Sequence, residues 1–223
     1  LLSIATVITV FISRDPTLFL IMSSTPKRGE LIELEQLNST SLSKSDIEKR
    51  LKLSVQYLKS QQKEDGSWLK HAGISAITLS SLLHTPFKLK EEAFAQKTLN
   101  YLLDLQQSNG SFYTSFSVSM GMANYVTSCT IMALTAADKE KYQIQINKAT
   151  KYLASAQRKE GLSEGGMGYG QQGGGADLSN LHMALEAMED AGVDKDSPFY
   201  KNALKFIARC QDSENNSLSQ TAT

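Results

Sequence analysis

A short stretch recurs along this chain, and its spacing constrains the fold more than any other feature. Tyr57-Leu58-Lys59-Ser60-Gln61-Gln62-Lys63-Glu64-Asp65-Gly66-Ser67-Trp68 returns as Tyr101-Leu102-Leu103-Asp104-Leu105-Gln106-Gln107-Ser108-Asn109-Gly110-Ser111-Phe112. In both, an aromatic residue is followed five positions later by Gln, four later by Gly and two later by a second aromatic. A third copy keeps Tyr152, Gln157 and Gly161, with Ser163 at the closing position. A fourth keeps Phe206 and Gln211, then reads Asn215 and Ser217. The copies start 44, 51 and 54 residues apart, the period of a helical-hairpin repeat.

The residues before each Gln form an amphipathic helix, the Gly beyond it can adopt positive φ and end the turn, and the aromatic packs back over it. Ser45-Asp46-Ile47-Glu48 reads as a capping box opening the first such helix, whose apolar face is Ile47, Leu51, Val55 and Leu58. The second starts near Lys90 with the stripe Phe94, Thr98, Tyr101, Leu102 and Leu105. The third carries Ala149, Tyr152, Leu153 and Ala156. The fourth opens with Ser197-Pro198, an N-cap followed by proline, and is expected to bury Phe199, Ala203, Phe206, Ile207 and Cys210. The segments between differ in charge: Ala72 to Leu83, Ser111 to Ala137 and Leu178 to Leu185 hold no Asp, Glu, Lys or Arg. A helix without a charged face is expected to be buried on every side. The spacing therefore predicts charged outer helices wrapped around neutral inner ones.

These repeats resemble the glutamine-tryptophan repeat of squalene and oxidosqualene cyclases and the related repeats of protein prenyltransferase β subunits. The resemblance runs from about Ser45 to the C-terminal end. It implies an all-α fold, an α/α toroid of about four helical hairpins, incomplete because full toroids of that family use more. A ring of this length would stay open or be closed by a protein partner or a second subunit.

Lys plus Arg equals Asp plus Glu, at 23 each, so the chain has no electrostatic footprint for nucleic acid. Residues 1–44 form an N-terminal segment apart from the repeat domain 45–223. Leu1 to Ile12 is nearly all apolar, shorter than the about 20 residues that span a bilayer. Two readings stay open: the core of a truncated secretory signal, which would make the protein exported or membrane-associated, or translated sequence upstream of a start at Met22. Lys27 to Lys44 reads as a polar linker. The first residue is not Met and the last run, Ser213 to Thr223, is polar, so a fragment or processed form is expected.

The resemblance also implies an apolar central cavity for an isoprenoid chain. Cyclases of that family protonate an alkene or epoxide with an aspartic acid from an Asp-x-Asp-Asp cluster, which this sequence lacks. The candidate proton donor is Asp177, yet it also occupies an N-cap position, where the helix terminus favours the ionised form. Tyr113, Phe116, Tyr125, Tyr169 and His182 are the candidate substrate-binding residues; Trp68 and Phe112 are expected to hold their turns. Val126 to Thr130 resembles the Ser-Asp-Cys-Thr segment of oxidosqualene cyclases, with Ser128 in the acid's place. Cys129 would alternatively stand for the zinc ligand of the prenyltransferases, with Asp177 and His182, but the order and spacing differ. The expectation is therefore no metal and no cofactor, with Cys129 a buried thiol and His182 a hydrogen-bonded core residue. Two functions of different class follow: a cyclase- or prenyltransferase-like enzyme acting on a polyprenyl substrate, or a non-catalytic helical repeat module binding a lipid or a protein.

Overall fold

The computed structural model describes residues 43–114, 122–170 and 175–211, and over them every regular element is an α-helix. The N-terminal apolar segment lies outside the described residues. The chain divides into two compact units, residues 1–62 and 63–223.

In the first unit, helix α1 (Lys44–Ser60) starts earlier than the expected capping box. Its N-cap is Ser43, whose Oγ accepts from the Asp46 amide at 3.2 Å and donates to the Asp46 carboxylate at 2.6 Å. Asp46 can do this because it sits three residues beyond Ser43, in the first turn. Glu48 does not reach back to a cap; it pairs with Lys52 at 2.7 Å, one turn ahead. Val55 and Leu58 are buried, whereas Ile47 is 53% exposed.

The second unit is a two-layer array. Helices α2 (Ala72–Leu83), α4 (Ala123–Asp138) and α6 (Leu178–Asp190) lie side by side, with α4 between the other two. Helix α3 (Ala93–Leu103) packs on α2 and α4, α5 (Gln143–Ala156) on α4 and α6, and α7 (Pro198–Cys210) on α6. The sequence explains the layering. Ten of the twelve residues of α2 are buried, as an uncharged helix requires. Its serines and threonines, and those of α4, suit close helix contact because their hydroxyls turn back onto the helix: Ser128 donates to Asn124 O at 3.0 Å and Thr130 to Val126 O at 2.8 Å. The outer helices bury one stripe each, such as Ile146, Ala149, Tyr152, Leu153 and Ala156 on α5.

Some expected core positions are open. Tyr101 and Leu105 are half-buried, Ile207 is 39% exposed and Cys210 is exposed. Helix α6 buries Asn180, Leu181, Ala184, Ala187 and Met188 but exposes Leu178, so it has one buried face rather than burial all round. The reason is positional: α4 has an inner neighbour on each side, α6 only on one among the described residues.

The repeat turns share one hydrogen-bond pattern. Lys63 N donates to Ser67 O at 2.8 Å and Gly66 N to Lys63 O at 3.0 Å; Gln107 N to Ser111 O at 2.8 Å and Gly110 N to Gln107 O at 2.9 Å. The third turn repeats it with Arg158 N to Gly166 O at 3.0 Å and Gly165 N to Arg158 O at 2.8 Å. Its conserved-pattern glycine is therefore Gly165, not Gly161, and its closing residue is Met167, not Ser163. Met167 is as fully buried as Trp68 and Phe112. The turn carries four extra residues, which shifted the apparent register in the sequence. Gly66, Gly110 and Gly165 have φ of +89°, +93° and +83°, and a Cβ on any of them would collide with the carbonyl of Lys97, Lys148 or Asn202 in the following outer helix. Glycine is needed there on both counts. The motif glutamines bind the same junction: Gln106 Nε2 donates to Gln145 O at 3.0 Å, and Gln157 Nε2 to Gly165 O and Phe199 O, each at 2.9 Å.

Candidate functional site

The inner helices begin at one end of the second unit, and their first turns gather most of the polar and aromatic side chains the sequence singled out. Each start is fixed by its repeat turn. Trp68 N donates to Ser75 Oγ at 2.8 Å, Phe112 N to Thr127 Oγ1 at 2.9 Å, and Asp177 N to Met167 O at 3.0 Å. The first aromatic pair is thus held by main chain and buried completely, which makes Trp68 and Phe112 parts of the turns.

Around these starts, Tyr125 is the central ring. It lies over Gly73 of α2, where a Cβ would sit 3.1 Å from its Cε1 and 3.3 Å from Cε1 of His71. The Tyr169 ring is 6.2 Å away and tilted by 47°. Tyr125 shares a side-chain hydrogen bond with Cys129, and its phenol is held well above its ordinary range by that thiol and then by burial. Burial pushes the Cys129 thiol up to about 12. Both groups are therefore neutral at physiological pH, and a thiol kept protonated by burial is a poor nucleophile.

Gly168 and Tyr169, in the segment between the third repeat turn and α6, bond the start of α4. Tyr169 O accepts from Asn124 N at 2.8 Å, capping α4, and Asn124 Nδ2 donates to Gly168 O at 3.0 Å. Asn124 Oδ1 in turn accepts from Tyr152 OH at 2.9 Å. One buried amide thus ties Gly168, an inner helix and an outer helix together, and it was not singled out in the sequence. Its signal was its place, an amide opening an uncharged helix. Burial, and then the neighbouring Tyr113, raise the Tyr152 phenol to about 12. Tyr113 is half-buried beside it. Phe116 lies outside the described residues.

His71 caps α2: its Nδ1 accepts from Ile74 N at 3.3 Å, and burial lowers its pKa. Asp177 caps α6. Its Oδ1 accepts from Asn180 N at 2.8 Å and Ser179 Oγ at 2.6 Å, and its Oδ2 from Asn180 Nδ2 at 2.6 Å. Burial pulls its pKa upward, but the bonds from Ser179 and Asn180 outweigh it and hold the carboxyl below its usual range. An ionised, capped carboxylate is the opposite of a proton donor.

His182 is exposed, not a core residue, because it projects from the open face of α6. Cys129, Asp177 and His182 are not brought together: the first is enclosed in α4, the second is occupied as a cap and the third faces solvent. Among the described residues no three His, Cys, Asp or Glu side chains are grouped to hold a metal ion, and no helix is long and apolar enough to cross a membrane. Among the described residues, these helix starts bring together aromatic faces and hydroxyls. Compared with known proteins, the chain matches no protein-family model and no curated protein.

Proposed function

We propose that this chain is a repeat module of the terpenoid cyclase and prenyltransferase-like type, arranged as an α/α toroid, that holds an apolar isoprenoid-type molecule against its uncharged inner helices without converting it. The single observation that carries this reading is the neutral aromatic end of those helices. Tyr125 lies against the side-chain-free surface of Gly73 with the Tyr169 ring tilted beside it, while the carboxylate of Asp177 is committed to capping in its ionised form. Apolar ligands favour sites of this kind, mostly hydrophobic and aromatic with a few placed polar groups. A cyclisation would need a protonated acid, and none of these groups supplies one.

The test is incubation of the full chain with squalene and, separately, with a prenyl diphosphate, followed by extraction and mass spectrometry. Intact lipid should be retained, and Tyr125→Ala should weaken retention by about tenfold through loss of one aromatic contact. No retention of either lipid would sink the reading. Cyclised product would establish the enzyme in its place; in that case, loss of all turnover in Asp177→Asn at unchanged melting temperature would make Asp177 catalytic.

A further inference from the structure

The inner helices are not all started in the same way. Helix α2 is capped by the residue before it, through His71 Nδ1, and α6 likewise by Asp177. Helix α4 has Met122 at that position, whose side chain makes no cap bond. A helix start needs acceptors for amides that its own turn cannot satisfy. Here they come from a distant part of the chain: Tyr169 O accepts from Asn124 N at 2.8 Å and from Tyr125 N at 3.4 Å.

The carbonyl that caps α4 belongs to the residue whose ring lies beside Tyr125, with the two centroids 6.2 Å apart. Cap and ring contact are therefore set by one stretch of main chain. Asn124 holds that stretch twice, from its own amide N and from Nδ2, which donates to Gly168 O at 3.0 Å. The other side of Tyr169 is held more weakly: Gly170 O accepts from Arg158 Nη2 at 3.5 Å, the outer limit of a hydrogen bond. The Asn124 side chain has one sensible orientation. Its Oδ1 accepts from Tyr152 OH at 2.9 Å, and a flipped amide would set Oδ1 against the Gly168 carbonyl, two acceptors with no proton between them. Asn124 and Tyr152 are 2% and 4% exposed, whereas the Tyr169 ring they place is 50% exposed. An enclosed polar clamp thus stands behind an open aromatic face.

We propose that Asn124 is a positioning residue for ligand retention: it clamps Gly168 and Tyr169 to the start of α4, and so keeps the Tyr169 ring on the aromatic surface that receives the apolar molecule. This rests on the retention reading above and adds to it what controls the site, since the ring stays in place only while a donor at position 124 meets Gly168 O. Asn124, being enclosed, acts through Tyr169.

The test uses Asn124→Asp and Tyr152→Phe in the full chain. A carboxylate at position 124 still accepts from Tyr152 but gives nothing to Gly168 O, while its protonated form offers a donor and an acceptor, as the amide does. Each chain is labelled with 3-fluorotyrosine, and the Tyr169 fluorine line is assigned by its loss in Tyr169→Phe. Without lipid, the Asn124→Asp line should lie near that of free fluorotyrosine at about pH 7.5 and return toward the wild-type position by about pH 4.5. Squalene retention, taken relative to wild type at the same pH, should be about tenfold weaker at the upper pH and recover with the line. Tyr152→Phe removes the bond that orients the amide; it should shift the line by a smaller amount at every pH, and it decides the matter if Asn124→Asp does not fold. Melting temperatures are measured alongside. Lower stability with an unmoved line and unchanged relative retention overturns the proposal, because a merely structural amide would behave so. A displaced line with full retention overturns it as well. Absence of retention in wild type sinks the functional reading, and the role of Asn124 in retention with it, whereas failure in the variants alone leaves that reading standing.

Discussion

His71 shows how one side chain links pH to the start of an inner helix. Its Nδ1 accepts the Ile74 amide, a role only the neutral ring can fill, and burial holds its pKa below the ordinary 6.5. Between that lowered value and 6.5 the unfolded chain binds a proton that the folded chain excludes. Stability therefore rises with pH across this window, is fully present above it and is lost as pH falls through the folded pKa. Denaturation midpoints should fall between about pH 7 and about pH 5. His71→Asn, which retains a capping acceptor without titrating, should flatten the decline. Parallel declines in the two proteins would remove His71 as the cause. The same logic of capping separates Asp177 from catalysis: its bonds to Ser179 and Asn180 need the charge that a proton donor must lack.

At the scale of the element, the repeat turn is a device for setting one hairpin on the next. Positive φ removes strain at the corner only for Gly, and the missing Cβ lets the corner touch the backbone of the following outer helix. Gly161 and Gly165 distinguish the two requirements, because both have positive φ but Gly161 has open space around it. Gly161→Ala should cost about 1–2 kcal/mol, the left-handed penalty alone. Gly165→Ala should cost clearly more, in line with Gly66→Ala and Gly110→Ala, because the carbonyl of Asn202 must also move. Urea denaturation of the four variants reads this directly; equal losses at Gly161 and Gly165 would return the third turn to the register the sequence suggested. That register was misread for a simple reason: extra residues after Arg158 displace Gly and Met167, and a buried Met does the work of an aromatic.

At the scale of the molecule, the main helix packing among the described residues of the second unit runs from α2 to α4 to α6, with each outer helix on the inner helices beside it, as in a one-dimensional stack. Local stability should then follow the number of neighbours. Helix α4, flanked by α2, α6, α3 and α5, is the best supported; α7 packs on α6 alone among the inner helices. Amide hydrogen exchange should accordingly be slowest in α4 and faster in α7. Equal protection along the array would mean that it opens as one cooperative block.

The helical repeat was legible without coordinates because it rests on local requirements: an apolar stripe, a Gly at the corner, and runs such as Ala72 to Leu83 that lack charge. Those properties determine which segments are helices and which must be buried, and Ser197 and Asp177 announced two helix starts in the same way. What a side chain meets across space is not encoded so locally. His182 sits in an apolar run yet is exposed, because among the described residues α6 has an inner neighbour on one side only. Asn124 looks unremarked in sequence yet joins Gly168 to Tyr152 across long stretches of chain. Tertiary packing decided these cases, since burial and hydrogen bonding depend on which neighbours arrive, and periodicity alone says only which face awaits them.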